Sequence, residues 1–152
     1  MNDDQKKLIE SQALDISKRT VTATSELIKK LNAYLSSFNK SSIFSFSSAS
    51  SEEYEEKYML FLSSISNDVS EMTSLNAALA SLIIKADKAA LIEITLVMQK
   101  RFDAFYLFES ALYDYTQSMD EILSQNHVSI SAIVASAQKF KISAENLIKE
   151  NA

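Results

Sequence analysis

The sequence predicts an all-α protein built from long antiparallel helices. The chain of 152 residues contains no glycine and no proline, and 47% of its residues are apolar. Over long stretches these apolar residues recur in steps of three and four, which places them on one face of a helix. Sheet folds turn their chain at glycine and proline, and tight hairpins in particular depend on glycine. A chain that lacks both residues is therefore suited to long helices joined by a few polar loops.

The first helix is predicted over residues 3–39. Asn39 is the expected end, because asparagine tolerates the left-handed conformation that often terminates a helix. Residues 1–40 carry a net positive charge and residues 51–76 a net negative charge, which favours packing of this helix against the next one. The apolar and small residues on its predicted buried face are Ile9, Ala13, Ile16, Thr20, Ala23, Leu27, Leu31, Leu35 and Phe38.

A serine-rich segment, KSSIFSFSSAS at residues 40–50, is predicted to form a loop. Serine competes for backbone hydrogen bonds and so disfavours the interior of a helix. We expect Ile43, Phe44 and Phe46 within the loop to pack against the ends of the helices. Ser50 and Glu53 have the spacing of a capping box, which predicts that the second helix starts at residue 51.

Residues 51–125 are compatible with two architectures. Their apolar pattern continues past the charged residues Lys85, Asp87 and Lys88 without losing its phase. We favour a turn at that point, which gives a bundle of four helices over 3–39, 51–85, 88–125 and 129–150. The alternative is one continuous rod over 51–125, about 110 Å long at 1.5 Å per residue, flanked by the two other helices.

The last helix is predicted over residues 129–150. Ser129 is the expected N-cap, and Val128 and Ile133 have the spacing of a hydrophobic staple. With this helix the chain forms a single helical domain over residues 1–152.

Charged and apolar residues also repeat at an interval of eleven, as in Lys7, Lys18 and Lys29. Eleven residues make three turns of about 3.67 residues, a period typical of nearly straight coiled coils. It also occurs in helices that lie on lipid surfaces. Because any amphipathic helix produces some matches at this interval, the repeat does not choose between these structures.

The composition excludes most catalytic chemistry. The chain has no cysteine and one histidine, so thiol catalysis, Cys-ligated metals and paired-histidine metal sites are not available to it. We expect His127 to be an exposed loop residue and Glu93, Asp103 and Glu109 to be exposed carboxylates. The sequence predicts no catalytic residue, no metal site and no cofactor, and therefore no enzyme.

The first residues, MNDDQKKLIE, are polar and unlike a secretory signal. No run of 18 apolar residues is present to span a membrane, and a net charge of -5 argues against nucleic-acid binding. We expect a cytoplasmic protein, with leaderless secretion left open.

Residues 89–115 are apolar on more than one side of their helix, which predicts an interaction surface. A helix that is apolar all round is covered all round, by its own bundle or by another chain. We therefore predict a non-enzymatic interaction or assembly protein that self-associates, as a homo-oligomer, or docks to a partner protein. The candidate interface residues are Leu91, Ile94, Phe102, Phe105, Tyr106, Phe108, Tyr113 and Tyr115, with Phe44 and Phe46 of the serine-rich loop.

The run KADKAALIEITLVMQKRFDAF, at residues 85–105, resembles phasins, the helical proteins that coat polyester storage granules. The resemblance implies an amphipathic protein that coats a lipid or granule surface without crossing it. This is the alternative function.

Overall fold

The computed structural model describes residues 3–44 and 51–152, and only the backbone over residues 39–44. The described chain forms four helices: α1 (Asp3–Phe44), α2 (Ser51–Lys88), α3 (Ile92–Leu123) and α4 (Ile130–Asn151). α1 packs on α2 and α4, and α3 packs on the same two helices. The molecule is therefore a four-helix bundle in which sequence neighbours are spatial neighbours, which confirms the predicted fold class.

The turn between α2 and α3 lies at residues 89–91, slightly later than predicted, and the alternative of a continuous rod is wrong. Ala90 has a φ of 58°. Its N–H donates to the Asp87 carbonyl at 3.0 Å, and the Leu91 N–H donates to the Ala86 carbonyl at 3.0 Å. These are the two hydrogen bonds of a Schellman motif. Leu91 and Ala86 belong to the same buried cluster, so the apolar pattern continues through the turn.

Replacing Ala90 with glycine is expected to raise the free energy of unfolding by about 0.5–1 kcal/mol. A left-handed residue with a Cβ carries roughly 1–2 kcal/mol of strain that glycine avoids, and the greater freedom of glycine in the unfolded chain offsets part of that gain. Urea denaturation followed by circular dichroism measures the change. Ala89→Gly is the matched control, because φ is not positive at this neighbouring residue. Equal losses of stability in both variants would contradict the interpretation.

α1 continues past the predicted end at Asn39, and its described part extends to Phe44. Asparagine tolerates the left-handed conformation without requiring it, and it costs a helix interior only about 0.7 kcal/mol relative to alanine. The predicted loop over 40–50 is therefore helical up to Phe44. The packing expected of Ile43, Phe44 and Phe46 and the cap expected of Ser50 lie outside the described residues and side chains.

The start of α4 confirms the predicted cap. Ser129 is extended, with φ -85° and ψ 115°, and its hydroxyl accepts a hydrogen bond from the Ala132 N–H at 3.2 Å. Ile133 is fully buried, and Val128 packs against the cluster that contains it.

Two ion pairs link α1 to α2. Lys30 Nζ donates to Asp68 Oδ2 at 2.7 Å and to the Ser64 carbonyl at 3.0 Å. Nearer the start of α1, Arg19 forms an ion pair with Glu71 at 3.8 Å. These contacts agree with the opposite net charges of the two segments.

The interior of the bundle has two parts. The first, which all four helices build, is rich in aromatic rings. The second is aliphatic and comes from α1, α2 and α3 alone: Ile9, Ala13, Ile16, Leu75, Leu79, Leu82, Ala86, Leu91 and Met98. α4 contributes nothing to the second part, so one end of the bundle has three helices instead of four.

The aromatic part is a continuous series of ring contacts that joins the helices. Tyr34 of α1 stacks on Phe61 of α2 at 4.6 Å, and Phe61 meets Tyr115 of α3 at 6.3 Å. Tyr115 stacks on Phe140 of α4 at 5.1 Å, and Phe140 contacts Phe108 of α3 at 5.5 Å. Loss of one central ring therefore affects contacts among several helices.

Three tyrosines belong to this aromatic part, and the hydroxyls of two of them, Tyr34 and Tyr115, are fully buried. Burial raises the pKa of Tyr34 and that of Tyr58 to about 12. Burial, together with the neighbouring Tyr34 and Tyr58, raises the pKa of Tyr115 well above its usual value. The hydroxyls of Tyr34 and Tyr115 lie beside each other, yet neither makes a hydrogen bond of ordinary geometry.

Candidate helix-docking groove

α4 spans only part of the bundle. It has 22 residues and α1 has 42, which correspond to about 33 Å and about 63 Å. Its last turn lies beside Arg101 of α3, whose Nε donates to the Glu150 carbonyl at 3.4 Å. The Asn151 side chain donates to the Leu147 carbonyl at 2.9 Å. Both side chains cap the end of α4 partway along its neighbours.

A groove of about 820 Å³ continues from the end of α4 between α1 and α3. Ala13 and Leu91, both buried, and the half-buried Ile94 form its floor. Leu14 of α1 and Val97 of α3 form apolar walls, although their side chains are 53% and 45% exposed. From Leu91 to Arg101 the groove follows α3 for about 15 Å, or nearly three helical turns. It therefore has the place, direction and lining of a missing fourth helix.

The rim of the groove carries charges of both signs. Lys6 and Glu10 lie on the α1 side and pair with each other at 4.0 Å. Glu93 and Arg101 lie on the α3 side. An apolar floor with a mixed charged rim is the arrangement found where one protein helix docks on another.

Two more large apolar residues of α3 are exposed at this end of the bundle, and Ile92 is one of the residues that line the groove. Ile92 is 72% exposed and Leu96 is 54% exposed. Leu14, Ile92 and Val97 together place three large apolar side chains in contact with solvent around one opening. Neighbouring exposed apolar residues of this kind mark interaction sites more often than single ones do.

Comparison with known proteins gives no relative from which to infer a function. No protein-family model, no curated protein and no solved structure matches this chain. Within residues 3–44 and 51–152, no three side chains of the metal-binding types come together as a metal site. No helix in those ranges is long and apolar enough to cross a membrane.

The predicted interface residues are divided between the interior and the surface. Leu91, Phe105, Phe108 and Tyr115 are buried, and Ile94 and Phe102 are half-buried. Tyr106 and Tyr113 are exposed, seven residues apart on one side of α3. The side chains of Phe44 and Phe46 lie outside the described part of the chain.

α3 is apolar on several sides because it packs against both α2 and α4. An interface that used Phe105, Phe108 or Tyr115 would require the bundle to open. Only Leu91 and Ile94 of the predicted set line the groove.

The polar residues predicted to be exposed are exposed. His127 lies in the turn between α3 and α4, and Glu93, Asp103 and Glu109 face solvent on α3. Glu93 is at the rim of the groove, so it is the one carboxylate of the three with a place in the candidate site.

Sequence reasoning missed Leu14, Ile92 and Val97 as surface residues of one site. The signal that could have found them is the difference in predicted helix length, 129–150 against 3–39. A short last helix leaves one end of its neighbours uncovered, and these three residues lie at that end.

A second groove, of about 680 Å³, runs along α3 and α4. Its lining includes polar residues such as Asp114, Lys139 and Asn146. Because α3 and α4 already pack directly against each other, this groove is a surface furrow between two helices in contact. It is therefore a weaker candidate than the vacant position between α1 and α3.

Proposed function

We propose that this chain is a non-enzymatic interaction protein that receives a helix from another protein chain in the groove between α1 and α3. The observation that carries this proposal is the vacant fourth-helix position beyond the end of α4. Leu14, Ile92 and Val97 line it and are exposed. Covering them would remove apolar surface from water at about 25 cal/mol per Å².

The groove favours an amphipathic helix of about three turns. Its floor accepts apolar side chains at helical spacing, and its rim offers Lys6 and Arg101 to acidic residues and Glu10 and Glu93 to basic ones. Apolar anchors then supply most of the affinity, and the charged rim selects the partner and its direction.

A lipid surface is a poorer fit to the same residues. The other exposed apolar side chains are spread over all four helices, for example Leu8 on α1, Met59 on α2, Tyr106 on α3 and Ile142 on α4. The most apolar face of each helix is inside the bundle. Binding in a lipid interface through those faces would require the four helices to separate, which exposes the aromatic core.

Site-specific photo-crosslinking in cells that produce the protein tests the proposal. A photoreactive amino acid at Val97 is expected to yield a defined covalent adduct with a protein chain. The matched control places the same amino acid at Ser74, an exposed residue on α2, where we expect no such adduct. Adduct formation at neither position, or equally at both, would contradict a docking role for the groove.

A further inference from the structure

A small pocket lies at the opposite end of the bundle from the groove, between the start of α2 and the end of α3. It has a volume of about 270 Å³, which is room for one long side chain and is less than most small-molecule sites offer. Its lining residues are Glu55, Tyr58, Met59, Asp120, Leu123 and Ser124. None of them lines the groove, so the pocket is independent of the proposed function.

Two carboxylates line the pocket from different helices. Glu55 belongs to α2 and Asp120 to α3, and both residues are exposed. Within the described part of the chain, neither carboxylate forms an ion pair or accepts a hydrogen bond. Lys57, the basic residue nearest to Glu55 in sequence, lies over the ring of Phe38 on α1 at 5.1 Å. The pocket therefore presents two negative charges to solvent.

The position of Asp120 on α3 is electrostatically unfavourable. Asp120 and Glu121 lie in the last turn of α3, which contains no basic residue. The free carbonyl groups at the C-terminal end of a helix carry a partial negative charge, which favours basic side chains there and disfavours acidic ones. Residues that oppose the preference of their own helix are expected at functional sites. A cation bound in the pocket would relieve this repulsion.

A tyrosine that is almost wholly buried adds a further polar group. Tyr58 is 3% exposed and lines the pocket. Its hydroxyl makes no hydrogen bond within the described residues, and the nearby Asp120 contributes to its raised pKa. A hydroxyl that is taken out of water without a partner destabilises the fold. In this pocket it is available, beside Asp120, to accept a hydrogen bond from a bound cation.

We infer that this pocket binds the guanidinium group of an arginine side chain from a partner protein. A guanidinium group is planar and donates several hydrogen bonds, so it can pair with two carboxylates and a hydroxyl at once. The apolar stem of the arginine fits against Met59 and Leu123, which form the apolar part of the lining. A metal ion is a poorer fit, because no three metal-binding side chains come together within residues 3–44 and 51–152.

Titration of the isotope-labelled full chain with a blocked tripeptide, followed by amide chemical shifts in NMR spectra, tests the inference. The tripeptide has arginine between two alanines. It is expected to bind with a dissociation constant of about 1 mM at low ionic strength and to shift the amides of residues 55–59 and 120–124. A peptide with citrulline, which has nearly the same shape and no charge, is expected to show no saturable binding. Glu55→Gln and Asp120→Asn should each raise the dissociation constant at least about threefold.

Asp103→Asn is the matched control, because Asp103 is an exposed carboxylate on α3 outside the pocket. This variant should bind the arginine peptide like wild type. Asp120→Asn should also raise the midpoint of thermal unfolding by about 1–3 °C at low ionic strength, since it removes an acid from the C-terminal end of α3. Asp103→Asn should leave the midpoint unchanged within about 1 °C. A lower midpoint in Asp120→Asn would assign its carboxylate a structural role and overturn the inference.

Free arginine distinguishes a protein side chain from a free amino acid as the ligand. It carries a carboxylate that the acidic pocket repels, so it is expected to bind at least about threefold more weakly than the blocked peptide. Equal binding of the two would overturn the assignment to a protein.

The remaining outcomes are equally decisive. The inference would be overturned by equal binding of the arginine and citrulline peptides, by the absence of saturable binding, or by binding that Asp120→Asn leaves unchanged. None of these results affects the proposed function, because crosslinking at Val97 tests the groove separately.

Discussion

Phe108→Ala is expected to lower the free energy of unfolding by about 3–5 kcal/mol, the range found when a buried phenylalanine is truncated to alanine. The Phe108 side chain is fully buried and contacts Phe105 at 5.8 Å and Phe140 at 5.5 Å. Its removal leaves a cavity at the contact between α3 and α4, which weakens the packing of these two helices. Urea denaturation followed by helical circular dichroism measures the loss.

Tyr106→Ala is the matched control, since Tyr106 lies two positions earlier on the same helix and is exposed. Its expected effect is within about 0.5 kcal/mol. Because domains of this size have only about 5–15 kcal/mol of stability, Phe108→Leu serves as a milder variant that stays folded and should lose an intermediate amount. Comparable losses for Tyr106→Ala and Phe108→Ala would contradict the burial of Phe108 and the exposure of Tyr106 on the two sides of α3.

The sequence predicts the fold because periodicity and composition act on whole helices. The buried faces of α1 and α4 follow from the three- and four-residue spacing, and the Ser129 cap follows from local hydrogen-bonding chemistry. The turn at Ala90 could not be predicted with the same certainty. It places alanine in a left-handed conformation that glycine normally supplies, and the core residues on either side keep the helical phase.

The site was harder to predict than the fold, because exposure depends on which helices become neighbours. The segment around α3 is apolar on many sides, and its sequence does not tell which side meets α2, which meets α4 and which meets solvent. Tyr115 and Tyr113 are close in sequence and similar in chemistry, yet the first is buried in the aromatic core and the second is exposed. Val97 is exposed only because α4 does not extend far enough to cover it.

The bundle is expected to lose stability steeply above pH 10. Tyr34, Tyr58 and Tyr115 have raised pKa values in the folded state, so between about pH 10 and pH 12 they keep protons that the unfolded chain releases. The unfolded state then binds fewer protons, and stability falls as the pH rises. At pH 11 the loss is about 1.4 kcal/mol for Tyr115, whose hydroxyl is the most buried of the three, and smaller for Tyr58, whose hydroxyl is the least buried, where solvent screens the effect. Urea denaturation at pH 7 and pH 11 measures it.

Tyr115→Phe separates this effect from the titration of other groups at high pH. The variant keeps the stacked ring and removes a buried hydroxyl that makes no hydrogen bond of ordinary geometry, so at pH 7 its stability should equal or exceed that of wild type. At pH 11 it should retain about 1.4 kcal/mol more of its pH 7 stability than wild type does. Tyr113→Phe, which removes an exposed hydroxyl, is the matched control. If the two variants lost equal stability between pH 7 and pH 11, the buried Tyr115 hydroxyl could not be a cause of the alkaline loss. A smaller loss in Tyr115→Phe alone would identify ionisation of Tyr115, within the aromatic contacts that join the helices, as a source of the alkaline loss.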